Sequence, residues 1–300
     1  MNDAHDSGDT AGRPRLGFIG LGRMGGGMAR NLVRWSPPLW VFDLKPDRVE
    51  ACVAAGAVAA GSARQLVERC DVVLTSLPSS EVFVRVAERD LLPNARGGQV
   101  FLDMGTTEAP ETRRLAAALA GKGAALLDCP VSGGSGGAEA GTLHIFVGGD
   151  RAAYERCRAI LEVLGDPQRV AYCGPSGTGQ AVKGVNQLAM GLVAAAYLEA
   201  VSFGLRAGAD PDAIARSVGG EEPWRRRVAH LARLAKEGKA DDVLVKFPEL
   251  PYFLSEARER GFAMPLTEAL HAFCQPGPRH WTDNMNRPRV SFWHQLTAGT

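Results

Sequence analysis

From position 15 the chain alternates short apolar runs with stretches whose apolar residues recur every three or four positions. Residues 16–19 form a compact apolar run leading into glycines, as a strand buried on both faces should. Met28, Leu32 and Trp35 then fall at helical spacing, which predicts a helix over 24–35. Further strands are predicted at 39–42, 57–59, 72–77, 99–103 and 124–127, followed by segments at 143–147 and 154–164. Helices are predicted at 47–55, 82–88 and 109–121, and Ser62 is placed to cap a helix between the third and fourth strands. Strands alternating with helices predict an open, mostly parallel sheet covered on both faces.

The pattern changes near position 176. Residues 178–206 read as one long helix, apolar almost all round in its middle, hence buried within its own domain or against a partner chain. No strand signal of comparable strength follows, and the rest reads as helices broken at Gly208, Pro223, Pro248, Pro251 and Gly261. The expected organisation is a polar, disordered tail over 1–14, an α/β domain over 15–176 and an all-helical domain over 177–300.

At 300 residues, two domains are also what length alone suggests. Lys plus Arg number 34 against 33 Asp plus Glu, a net charge of +1, which argues against a nucleic-acid partner bound by bulk electrostatics. No uninterrupted run of about 18 apolar residues occurs, so no membrane span is expected. The tail lacks the basic start and apolar core of a signal peptide, and a cytoplasmic protein is expected. Six cysteines without paired spacing read as buried or free thiols, and no metal site is expected. The 36 glycines exceed the roughly 21 that average usage predicts, and they cluster.

One cluster is Gly20, Gly22 and Gly25, a GxGxxG between a predicted strand and a predicted helix. There the first glycine makes the tight turn, the second lets backbone approach a pyrophosphate, and the third lets the helix pack on the strand. Asp43 ends the second strand, where a carboxylate accepts hydrogen bonds from the ribose hydroxyls of NAD and repels the extra phosphate of NADP. Dinucleotide binding is therefore expected, with NAD favoured and NADP possible, since Arg23 and Lys45 lie nearby in sequence. Loops at 77–80 and 103–107 follow two further strands and should border the cofactor.

The second cluster follows Asp128: Cys129, Pro130, Val131, Ser132, Gly133, Gly134, Ser135, Gly136 and Gly137. Closely spaced backbone N–H groups with hydroxyls suit an anion, and a carboxylate is the natural guest. On the long helix, Lys183, Asn186 and Gln187 share one face. A lysine there, partly desolvated beside amides, suits general acid/base work on a substrate hydroxyl.

These segments together resemble the β-hydroxyacid dehydrogenases. The resemblance is carried by residues 17–25, by 128–134 with 141–143 and 147–149, and by 177–187, in matching order from about 16 to 208. It implies a Rossmann, doubly wound, mostly parallel sheet followed by an all-helical C-terminal domain with a long inter-domain helix. It implies reversible hydride transfer between NAD(P) and the hydroxyl carbon of a short 3-hydroxy acid, in a homodimer or homotetramer with no metal. By position, Lys183 would be the general acid/base; Ser132, Gly133 and Gly134 would hold the substrate carboxylate; Asn186 and Gln187 would orient the substrate. Gly20, Gly22, Arg23, Met24, Gly25, Asp43, Leu77, Pro78 and Thr106 would serve the cofactor. The family's Lys-Asp-Leu, whose lysine reaches the cofactor, is replaced by Pro248, Glu249 and Leu250, which leaves Lys246 as the candidate substitute. Trp224 to Arg227 and the segment 283–287 are untypical; the arginines are either a contact for a larger or doubly charged substrate or a solvated helix face. Two other readings stay open: an imine reductase, in which the lysine is usually replaced, and a non-catalytic NAD(P)-binding scaffold.

Overall fold

The computed structural model describes residues 14–243, 245, 249–274, 279–282, 288–290 and 292–297. Residues 1–13 of the expected tail, Lys246, Pro248 and the segment 283–287 lie outside the described residues. The chain divides into two compact units, 1–183 and 184–300.

In the first unit β1 (Leu16–Ile19), α1 (Gly25–Trp35), β2 (Leu39–Phe42), α2 (Pro46–Val53), β3 (Val58–Ala59) and α3 (Ala63–Arg69) follow in order. Next come β4 (Val72–Thr75) and α4 (Ser80–Val86), which runs on through a π turn into α5 (Leu92–Asn94). The unit continues with β5 (Val100–Asp103), α6 (Ala109–Ala120), β6 (Ala125–Asp128), β7 (Val131–Ser132), α7 (Gly134–Ala140), β8 (Leu143–Gly148), α8 (Arg151–Leu164) and β9 (Gly165–Gly174). The sheet order is β3-β2-β1-β4-β5-β6-β8-β7, with β9 on β8. Strands β1 to β6 are parallel, whereas β8 runs antiparallel to β6 and β7. The first six strands thus have the doubly wound order 3-2-1-4-5-6, which reverses between β1 and β4.

The apolar runs are continuous because both faces are covered. Leu16, Phe18, Val72, Leu74, Val100 and Leu102 point into one core, while Ile19, Val73 and Phe101 point into the other. Each such side chain contributes about 1.5–3 kcal/mol by leaving water, before the entropy of ordering it. Ser62 caps α3 by accepting from the Gln65 N–H at 3.1 Å, and Ser79 caps α4 from the Val82 N–H at 3.3 Å.

Two elements depart from the expectation. Strand β9 pairs only with β8, is exposed or half-buried after Gly165, and includes Pro167, so it lacks an apolar run. The glycine-rich segment after Ser132 is partly helical, as α7, although glycine disfavours a helix by about 1 kcal/mol per residue. Packing offsets that cost: Ala138 is fully buried, and the Asn31 side-chain amide of α1 donates to its carbonyl at 2.8 Å.

The second unit is helical. Helix α9 (Thr178–Arg206) continues into it, followed by α10 (Pro211–Ser217), α11 (Pro223–Lys236), α12 (Leu250–Arg260) and α13 (Pro265–Cys274). Pro223 and Pro251, read above as breaks, sit in the first turn of α11 and α12, where the missing N–H costs nothing, so the breaks fall just before them. Strands β10 (Arg279–Thr282) and β11 (Pro288–Val290) form a small antiparallel pair that the sequence pattern did not indicate, and α14 (Phe292–Thr297) follows. Leu198, Val201, Leu231, Leu250, Leu270 and Phe292 form the core of this unit. By length and composition alone α9 is also apolar enough to cross a membrane, despite lacking an unbroken apolar run.

Candidate functional site

The turn after β1 is set by glycine. Gly20 has φ +92°, and its N–H donates to the Phe42 carbonyl at 2.9 Å. A Cβ on Gly25 would lie 1.9 Å from the Gly20 carbonyl oxygen, so only glycine lets α1 begin there. No side chain caps α1 and no acidic residue occupies its first turn. Its first N–H groups and positive end are therefore suited to phosphate. This backbone fits a dinucleotide, because the space that side chains would fill has been cleared.

Asp43 follows β2 and is nearly buried. Its carboxylate accepts from the Leu21 N–H at 2.7 Å and the Lys45 N–H at 2.8 Å, and Arg48 approaches to 3.5 Å. The acid is thus bound to the phosphate loop itself. Arg23 is exposed, and Met24 stands at the start of α1. Leu77 and Pro78 follow β4 beside that loop, since the Ser76 N–H bonds the Ile19 carbonyl at 2.9 Å. Thr106 follows β5 and is half-buried.

The glycine-rich segment is clasped to α1. Besides the Asn31 bond, Arg30 pairs with Glu139, and a Cβ on Gly27 would lie 3.0 Å from the Ala138 backbone. Ser132 is half-buried at the end of β7, and Gly133 and Gly134 take φ +132° and +64°. Lys183 is buried, 6% exposed, and its Nζ donates to the Val131 carbonyl at 2.8 Å, one residue from Ser132. The first unit therefore brings together the phosphate helix, the glycine-rich segment and the lysine. Asn186 and Gln187 follow on the same helix in the second unit, half-buried and buried. Arg225 pairs with Glu222 and lies over the Trp224 ring, and Arg226 pairs with Glu221. These two arginines are matched to acids on an exposed helix face, the second of the two readings above.

Three polar residues here were not singled out for a role from sequence. Asp103 and Asp128 end β5 and β6 in register with one another. Asp128 is fully buried and accepts from the backbone N–H of Gly177 at 2.9 Å and of Gln180 at 3.0 Å, which anchors the start of α9. Gln180 in turn bonds the loop 105–107. Acidic residues ending otherwise apolar strands were the available signal.

Asp103 accepts from Thr107 Oγ1 at 2.6 Å, the Gly105 N–H at 3.0 Å and Thr75 Oγ1 at 3.2 Å. Burial outweighs these bonds and pushes its carboxyl up to about 7, with the nearby Asp128 adding to the rise. Burial also raises Asp128 above its ordinary value. For Asp103 the folded state holds a proton that the unfolded chain has released between about pH 4 and 7, so its contribution to stability falls as pH rises through that window. Asp103→Asn should remove this fall, gaining roughly 2–4 kcal/mol on the parent protein between pH 4 and 8. Urea titrations of both proteins at several pH values check it, and parallel curves would contradict it.

Comparison with known proteins gives the family. Residues 15–174 match the family model described as the NAD binding domain of 6-phosphogluconate dehydrogenase. The chain is 39% identical over 209 residues to a probable mitochondrial 3-hydroxyisobutyrate dehydrogenase of Dictyostelium discoideum, a match covering 69% of this chain and 64% of that protein, so it spans less than two thirds of that relative. It is 37% identical over 293 residues to the 2-(hydroxymethyl)glutarate dehydrogenase of Eubacterium barkeri, covering 95% of this chain and 96% of that one. Among solved structures, the Mycobacterium tuberculosis 3-hydroxyisobutyrate dehydrogenase with L-serine superposes with a TM-score of 0.72 at 26% identity, over 95% of this chain and 98% of that one. With the glycine loop, the acid after β2 and the family match falling on the same residues, the chain belongs to the β-hydroxyacid dehydrogenase family, and its first unit is that family's NAD-binding domain.

Proposed function

We propose that the protein is an NAD(P)-dependent dehydrogenase acting on the hydroxyl-bearing carbon of a short 3-hydroxy acid. The observation that carries the reading is the buried Lys183 amine bonded one residue from Ser132. Ser132 Oγ with the Gly133 and Gly134 backbone would hold the substrate carboxylate, and Asn186 and Gln187 would orient the substrate. Lys183 Nζ would exchange its carbonyl partner for the substrate hydroxyl, taking the proton on oxidation and returning it on reduction. Gly20 to Gly25, with Leu77, Pro78 and Thr106, would hold the cofactor, with Lys246 as a further candidate for it. The nicotinamide, when bound, supplies the hydride acceptor.

Asp43 favours NAD as an acceptor for ribose hydroxyls, while Arg48 at 3.5 Å offsets its charge and gives NADP a partner. Residues 177–300 would build the side-chain pocket and the subunit interface. Val185, Met190, Val193 and Phe203 lie exposed along α9, and an apolar strip of this kind marks a contact surface. On the same helix Leu198 and Val201 are in a protein core, which favours a second copy of the chain over lipid as the cover. A homodimer or homotetramer in the cytoplasm, with no nucleic-acid partner, completes the reading. A lysine rather than a replacement at position 183 favours alcohol over imine chemistry.

The test is a steady-state panel of short 3-hydroxy acids with NAD and NADP, and of their semialdehydes and cyclic imines with NADH and NADPH. Turnover of at least one hydroxy acid, with NAD the better cofactor, is expected. Tight cofactor binding with no turnover of any acid, or reduction of imines alone, would overturn it.

A further inference from the structure

We propose that Gln180 is a positioning residue that ties the cofactor-side loop 105–107 to the helix carrying Lys183, so that hydride and proton transfer share one geometry. This rests on the dehydrogenase reading above.

Gln180 is 2% exposed, and both ends of its amide are used. Nε2 donates to the Gly105 carbonyl at 3.0 Å, and Oε1 accepts from the Thr107 N–H at 3.1 Å. The two bonds straddle Thr106, the residue expected at the cofactor. From the sheet side Asp103 holds the same two residues, through the Gly105 N–H and the Thr107 hydroxyl. Loop 105–107 is therefore gripped by β5 below and by α9 above.

The helix end of the link is equally fixed. The Gln180 N–H is held by Asp128 at 3.0 Å. A Cβ on Gly179 would lie 2.5 Å from the Phe146 carbonyl oxygen and 2.7 Å from that of Asp128, so the helix start rests on the strand ends with no slack. Lys183 lies three residues on, on the same face of α9 as Gln180. An apolar residue of similar volume would fill the space, but it would take the glutamine's bonds from the buried Thr107 N–H and the half-buried Gly105 C=O. The glutamine joins the two groups that must meet the substrate from different sides.

The test uses the full chain with Gln180→Met, which keeps shape and removes both bonds, and Gln180→Glu. A buried Glu is neutral at low pH and can then donate to the Gly105 carbonyl while accepting from the Thr107 N–H; once ionised it repels that carbonyl. Every value is taken as a ratio to the parent protein at the same pH, which cancels the titration of Asp103. For Gln180→Met the NADH dissociation constant should rise about tenfold or more, and kcat should fall about tenfold, with KM for the acid little changed. Gln180→Glu should match the parent at low pH and approach Gln180→Met at high pH. That recovery is what a merely space-filling role would not produce, and it carries the test if Gln180→Met does not fold. Unchanged NADH affinity and kcat in either folded variant at high pH, or a loss in Gln180→Glu that low pH does not restore, would overturn the proposal. If the parent protein oxidises no hydroxy acid, the dehydrogenase reading has failed, and Gln180 is judged on NADH affinity and its recovery alone.

Discussion

Gly25→Ala should abolish useful cofactor binding while leaving the sheet intact. The added methyl would stand 1.9 Å from the Gly20 carbonyl oxygen and 3.1 Å from the Phe18 ring, where ordinary contacts need well over 3 Å. Neither neighbour can yield cheaply. Gly20 is held by its bond to Phe42 and by a backbone conformation that other residues avoid, and Phe18 is fully buried. The helix start must therefore move, which costs about 1–3 kcal/mol of stability as overpacking. Moving it withdraws two or more N–H groups from the phosphates, each worth about 1.5–3 kcal/mol toward a charged acceptor. The NADH dissociation constant should rise about 10²-fold or more. Fluorescence titration reads it, far-UV circular dichroism confirms the fold, and an affinity within threefold of the parent would show that the loop does not hold the phosphates.

Lys183→Ala should lower kcat by about 10²–10⁴ while NADH still binds, because a positioned proton donor and acceptor contributes that much. The amine bonds the Val131 carbonyl beside the glycine-rich segment, and the glycine loop is built without it. Lys183→Arg separates charge from proton transfer. A guanidinium keeps the positive charge but does not give up its proton near neutral pH, so it should be nearly as impaired as alanine. Stopped-flow single turnovers at saturating NAD and acid measure the step itself. An arginine variant with parental rates would mean that charge alone suffices.

Much of the fold was legible because its signals are local. The runs at 16–19 and 39–42 became β1 and β2 with the predicted limits, and 178–206 became α9. A strand buried on both faces must be apolar throughout, so burial writes itself into adjacent residues, whereas α9 is apolar nearly all round although Val185, Met190, Val193 and Phe203 lie exposed. The glycine loop was legible for the same reason, since Gly20 and Gly25 meet within one turn. What stayed hidden depends on partners distant in sequence. Gln180 bonds Thr107 across 73 positions, and Gly177 bonds Asp128 across 49. Spacing along α9 drew attention to Lys183, Asn186 and Gln187, whereas the amide that grips the cofactor-side loop lies one turn earlier. Strand β9 escaped because an edge strand with exposed residues carries no apolar run, and α7 because packing against α1 overrides glycine's poor helical propensity.

The claim beneath the proposed chemistry is that one pocket presents the Lys183 amine to the hydroxyl and the Ser132–Gly134 backbone to the carboxylate of the same molecule. A crystal structure with NAD and the best acid from the panel tests this directly. The account predicts Lys183 Nζ within about 3 Å of the substrate hydroxyl, with the carboxylate on Ser132, Gly133 and Gly134. A bound acid whose carboxylate sits elsewhere, with Lys183 still on the Val131 carbonyl, would contradict it.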